Sequence, residues 1–147
     1  MRFGSMRRSD LEYIRQLNDL INGRLLHIEE LKSKAYPGAI IYDDSGASRP
    51  APTNKLERVF ELIDQEERKV NRLIDKRYAL RCQALNEIRA VCPEYAERHI
   101  MYLRYLSKEP MDWQRIIKYV NKYHNISERK IYQLHHDAVR KLELYKI

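Results

Sequence analysis

The stretch ISERKIYQLHHDAVRKLELYKI, residues 126–147, decides how the rest of the chain is read. Ser127 stands ahead of a run in which Ile131, Leu134, Ala138 and Leu142 recur every three or four positions, the period of one helical face. Arg129, Gln133, His136 and Arg140 fall almost opposite them, with Tyr132 beside that row and Lys130 at its edge. The pattern predicts a helix capped by Ser127, apolar on one side and basic and hydrogen-bonding on the other. Such a side suits nucleic acid. Arginine pairs bidentately with guanine and glutamine with adenine, Lys130 is placed for a phosphate, and first-turn amides near Ser127 receive a phosphate oxygen. The competing account is an ordinary solvated face, which any amphipathic helix of a basic protein displays, and periodicity and charge alone favour it.

The segments just upstream read as two more short helices. KEPMDWQRIIKYV, residues 108–120, sets Pro110 and Asp112 before Trp113, Ile116, Ile117 and Val120. PEYAERHIMYLRYL, residues 93–106, opens with proline and two glutamates, as helix starts prefer, and predicts Ala96, Ile100, Leu103 and Leu106 on one face. The polar run NKYHN, residues 121–125, reads as the turn into the last helix. Three helices with narrow apolar faces make one trihelical unit over residues 93–147, with the second and third forming a helix-turn-helix. In it the last helix would lie in the major groove of duplex DNA.

Residues 1–92 are organised differently. Leu11, Ile14, Leu17, Ile21, Leu25, Ile28, Leu31 and Ala35 form one stripe of a helix that Ser9 or Asp10 caps. AYPGAIIYDDSGASRPAP, residues 35–52, carries three prolines and two glycines and predicts a loop over about 36–53. A second stripe then runs through Leu56, Val59, Ile63, Val70, Leu73, Arg77, Leu80, Ala84, Ile88 and Val91 to the Cys92-Pro93 break. A rod of close to forty residues cannot hide its stripe alone, so it needs the first helix folded back on it, a second copy of the chain, or both. Glu66 and Arg77 interrupt that seam. The expected fold is all-α: a long helical hairpin or coiled coil that dimerises, followed by the trihelical unit.

Composition agrees and narrows the function. Of 147 residues, 33 % are charged and only four are glycine and five proline, a helical mixture. The net charge of +7 gives nucleic acid about even odds as a partner. It is unevenly spread: residues 1–92 hold 17 Lys and Arg against 14 Asp and Glu, while residues 93–147 hold 11 against 7. Cys82 and Cys92, ten residues apart on one predicted helix, are too distant to bridge, which predicts free thiols in a reducing compartment. No apolar run is long enough to span a bilayer, and MRFGSMRRSD is not followed by a signal-peptide core, so the expected location is the cytoplasm of a bacterial host. His135, His136 and Asp137 are adjacent and point apart on a helix, so no metal site is expected. No phosphate loop, nucleophile elbow or facing carboxylate pair is present, so neither an enzyme nor a cofactor is expected. Seven of the eleven tyrosines follow Pro93; Tyr102, Tyr105, Tyr119 and Tyr123 are read as half-buried packing in preference to base-stacking platforms.

MYLRYLSKEPMDWQRIIKYV followed by ISERKIYQLHHDAVRKL resembles the helix-turn-helix of sigma-70 region 4, in the form carried by phage transcriptional regulators of the ArpU and RinA kind. The residues that carry the likeness are Leu103-Arg104-Tyr105, Asp112-Trp113, and Ser127, Arg129, Tyr132 and His135, with Ala138, Val139, Lys141 and Leu142 at the close. The layout of the preceding half is also similar, so the resemblance covers nearly the whole chain. It implies a sequence-specific transcriptional regulator of phage or prophage origin, with double-stranded DNA as partner and RNA polymerase as a second one. Ser127 would cap the recognition helix at a phosphate, Arg129 and Tyr132 would lie at the DNA surface, and Trp113 would lock the preceding helix to the core. Gln133 and His136 join the site from helix geometry, and His135 is read as packing at the core edge or facing a phosphate. Two features depart from the family pattern: about four extra residues between Trp113 and Ser127, read as an enlarged turn at Asn121 to Asn125, and the bulky Ile117 at the close-approach position. These keep two alternatives open, a phage protein-interaction module (an inhibitor or antirepressor) and a small DNA-packaging subunit.

Overall fold

A computed structural model describes residues 6–35 and 53–145, and the chain is all-α, with no strand among the described residues. The helices are α1 (Arg8–Ala35), α2 (Thr53–Val91), α3 (Tyr95–Met101), a π-helical turn (Tyr102–Leu106) continuing α3, α4 (Trp113–His124) and α5 (Glu128–Leu144). The expected loop at 36–53 lies, but for its last residue, outside the described residues. Two compact units divide the chain: Met1–Asn18 with Lys76–Ile147, and Asp19–Asp75.

The Asp19–Asp75 unit is an antiparallel helix pair. Ile21 and Ile28 pack with Val70 and Leu73, and Leu31 and Ala35 pack with Ile63 and Val59. Glu66, a polar interruption in the stripe, is held across the pair by Arg24 at 3.1 Å and along its own helix by Lys69 at 3.4 Å. The seam therefore passes through Arg24 where the sequence stripe passed through Leu25, which is 44 % exposed and flanks the contact. A strict three-four spacing drifts around a straight helix, so one of two neighbouring positions must leave the seam.

The other unit holds two apolar cores. One joins Met6, Leu11 and Ile14 to Ala84, Ile88 and Cys92 and to Met101, Tyr105, Leu106, Ala138, Val139 and Leu142. The second collects Ile100, Leu103, Ile116, Val120, Ile131 and Leu134, with Trp113 and Ile117 packed against it. The chain from Tyr95 to Leu106 supplies side chains to both. Leu106 was expected on the face of Ile100 and Leu103 but points into the first core. The π turn is the reason: the Ser107 amide bonds the Tyr102 carbonyl five residues back, at 2.8 Å, and the widened turn rotates Tyr105 and Leu106 away from Leu103. Two guanidiniums from α2 complete that turn, Arg81 donating to the Leu106 carbonyl at 2.8 Å and Arg77, the other polar residue on the stripe, to that of Ser107 at 3.3 Å. Both cysteines are free.

Local signals explain the helix ends. At the start of α1 the Asp10 carboxylate accepts the Arg7 amide at 2.9 Å, the returning half of a capping box. Asp112 caps α4 through the Arg115 amide at 2.9 Å, and Ser127 caps α5 through that of Lys130 at 3.3 Å. The reading of NKYHN as an enlarged turn is overturned. Asn121 to His124 are the last helical turn of α4, and only Asn125, Ile126 and Ser127 separate it from α5. The extra residues lengthen a helix and leave the turn tight. Their polar groups are used there: the Asn121 amide donates to the Ile126 carbonyl at 3.0 Å, Tyr123 packs on Tyr119, and His124 meets His99. Asn125 reverses the chain at φ 53°, a left-handed conformation that asparagine tolerates and β-branched residues resist. Asn125→Val should therefore lower stability by about 1–2 kcal/mol, while Asn125→Gly stays within roughly 0.5 kcal/mol of wild type, as urea titration would read.

Candidate nucleic-acid interface

All seven residues singled out on the last helix share its outer side. Ser127, Arg129, Lys130, Tyr132, Gln133, His136 and Arg140 are exposed, whereas Ile131, Leu134, His135, Ala138, Val139 and Leu142 are buried beneath them. Two sets of contacts fix which side faces out.

The first centres on His135. Its Nε2 lies 2.6 Å from the Tyr105 hydroxyl, and both side chains are buried. The Tyr105 oxygen also takes a hydrogen bond from Arg104, and burial pushes its pKa up to about 12, so the phenol keeps its proton and can donate it toward the imidazole. Trp113 meets the His135 ring edge-on at a centroid distance of 4.6 Å, and its own ring receives the Arg104 guanidinium at 4.7 Å. Tyr132 rests on the same indole at 5.0 Å, which holds an exposed ring of the outer face through a half-buried one. His135 is thus packed in the interior and Trp113 joins α4 to α5.

The second set lies toward the other end of α5. Lys141 places its ammonium 3.0 and 3.2 Å from the two carboxylate oxygens of Glu97 on α3, and Glu97 is buried. That contact holds Lys141 above its ordinary pKa. The Cys92 thiol also bonds Glu97, and burial, followed by that carboxylate, pushes its pKa up to about 12, leaving it a packed, unreactive group.

One feature of this surface escaped the sequence reading. Arg115, Lys118 and Lys122 are exposed on α4 and, with Met111 and Tyr119, line a shallow groove. Their spacing of three and four was the signal, concealed by the reading of residue 121 onward as turn. Of the tyrosines weighed as stacking platforms, Tyr105 is fully buried and Tyr119 half-buried, while Tyr102 and Tyr123 are exposed. Among the described residues no group of three or more His, Cys, Asp or Glu side chains is arranged to hold a metal ion, and no helix is long and apolar enough to cross a membrane. Comparison of the chain with protein-family models, with curated proteins and with solved structures returns no match.

His135 makes the site's support sensitive to acid. Burial first, then the charges of Arg8, Arg104 and His136, lower its pKa from 6.5 to about 4. Between those values the unfolded chain takes up a proton that the folded one refuses, so the contribution is complete above about pH 6.5 and is lost as pH falls toward 4. The shift corresponds to about 3 kcal/mol. Urea unfolding at pH 7.5 and 4.5 should show wild type losing that much more stability on acidification than His135→Gln, which keeps a hydrogen-bonding side chain without the titration.

Proposed function

We propose that the chain is a sequence-specific DNA-binding regulator of transcription, of phage or prophage origin, and that α5 is its recognition helix. The observation that carries this reading is the division of α5 itself: Arg129, Gln133, His136 and Arg140 exposed along one side, with the buried side anchored at both ends of the helix by His135 and Lys141. Side chains that read base edges must be presented at a fixed angle, and a helix held at two separated points presents them so. The tight turn from α4 into α5 supports it as well, since a helix-turn-helix needs a short connection to hold its second helix against its first. Lys130, Arg115, Lys118 and Lys122 are suited to phosphates. The alternative of a protein-interaction module drew on an enlarged turn, and the three-residue connection removes that motive.

Two expected outcomes test the reading. Selection from a randomised duplex library should recover a motif, and Arg129→Ala should weaken binding to it by about 1–3 kcal/mol while relaxing preference at one base position. Lys130→Ala should instead weaken binding to all sequences alike and reduce the salt slope by about one. An Arg129→Ala protein that binds the selected site as tightly as wild type would sink the assignment of α5.

The same proposal includes a homodimer formed through the Asp19–Asp75 unit, with RNA polymerase as a further partner. A single helix pair leaves flanks uncovered, and Leu20, Leu25, Leu26, Leu62 and Ile74 are exposed there. Sedimentation should give a dimer at micromolar concentration, and Leu25→Lys with Ile74→Lys should give a folded monomer.

A further inference from the structure

Between α2, α3 and the π turn lies a pocket of about 400 Å³, within the size range of small-molecule sites. Its floor is apolar: Leu85, Ile88 and Leu106. Tyr95, Tyr102 and His99 stand along it, and the remaining lining residues are Arg89 and Arg98. The lining thus contains two guanidiniums and no carboxylate, which is unusual in a chain where other half-buried cations are paired, as Lys141 is with Glu97 and Arg24 with Glu66. The Arg98 Nε is buried and has no hydrogen-bond partner. A donor withdrawn from solvent and left unpaired is costly, and an acceptor brought by a ligand would relieve it.

We propose that this pocket binds a small organic anion, a carboxylate joined to an aromatic or branched aliphatic body. The carboxylate would pair with Arg98 and Arg89, whose fork geometry suits it. The body would cover Leu85, Ile88 and Leu106 and lie against the rings of Tyr95 and Tyr102. A nucleic-acid backbone is a poorer occupant, because a concave apolar floor gives a phosphate chain nothing to bury. The pocket is also connected to the rest of its unit: His99 lines it and has its Nδ1 2.9 Å from Nε2 of His124, the last residue of α4. None of this rests on the DNA-binding reading.

The test is an NMR titration of the full chain, using indole-3-acetate and its neutral counterpart indole-3-ethanol, with phenylacetate and 4-methylpentanoate as further carboxylates. Saturable shifts should concentrate on the amides of Leu85, Arg89, Arg98, His99 and Tyr102. Indole-3-acetate should bind about tenfold more tightly than the alcohol. The Arg89→Gln/Arg98→Gln double variant, altered only at charged groups, should erase that preference, and Leu85→Trp should fill the floor and abolish binding of both probes. If Leu85→Trp does not fold, the double variant alone decides. Equal affinity of acid and alcohol, a preference that survives the double variant, or no saturation by any carboxylate up to roughly 10 mM would overturn the proposal. So would loss of duplex DNA affinity in the double variant without carboxylate binding, since the arginines would then belong to a phosphate-contacting surface.

Discussion

The unit that carries α4 and α5 depends on one short helix serving two cores. Residues 95 to 106 must supply Ile100 and Leu103 to one cluster and Met101, Tyr105 and Leu106 to the other. Successive residues on an α-helix are 100° apart, so Ile100 and Met101 can face different clusters without distortion, whereas Leu103 and Leu106 would normally share a side. The π turn separates them. It leaves the carbonyls of Leu106 and Ser107 directed at α2, where Arg81 and Arg77 meet them. Two arginines on an otherwise apolar stripe are therefore part of the support for the helix they face, and they spare buried carbonyls from going unpaired.

Apolar packing alone would leave the rotation of α5 loosely set, because leucine, isoleucine and valine can slide past one another at small cost. The polar contacts remove that freedom. The Tyr105–His135 hydrogen bond and the Lys141–Glu97 pair act at positions 135 and 141, almost two helical turns apart, and each leaves a buried group unsatisfied if the helix turns. Their contribution to net stability is modest, since desolvation offsets much of the attraction, but their contribution to orientation is large. The aromatic ladder from His135 through Trp113 to Tyr132 extends the same control to the exposed side.

Much of this was legible in the sequence where the periodic signal was long. The stripes of α1, α2 and α5, the caps at Asp112 and Ser127, the break at Cys92-Pro93 and the outward side of α5 follow from spacing and from residue chemistry at helix ends. What could not be read is tertiary in origin. Asn121 to His124 are polar enough to suggest a turn, and only the contacts of His124 with His99 and of Asn121 with Ile126 favour one more turn of helix. The π turn has no compositional mark, so Leu106 was assigned to the wrong core. The choice of Arg24 over Leu25 for the seam depends on Glu66 across it. The pocket beside α3 joins residues from 85 to 106 across the proline break, and the row Arg115, Lys118 and Lys122 was hidden by misplacing the end of α4.

The π turn also bears on how the chain can change length. It holds one residue more than an α turn would, so it is the natural place for a deletion to be absorbed, restoring i→i+4 bonding without tearing the helix. Here that route is closed. Dropping any residue between Tyr102 and Leu106 would swing everything after it by about 100°, turning Leu106 out of its core and the two carbonyls away from Arg81 and Arg77. Substitutions at the exposed Tyr102 should be tolerated far more readily than its removal. Among divergent copies of this chain, the segment should vary in composition and keep its length.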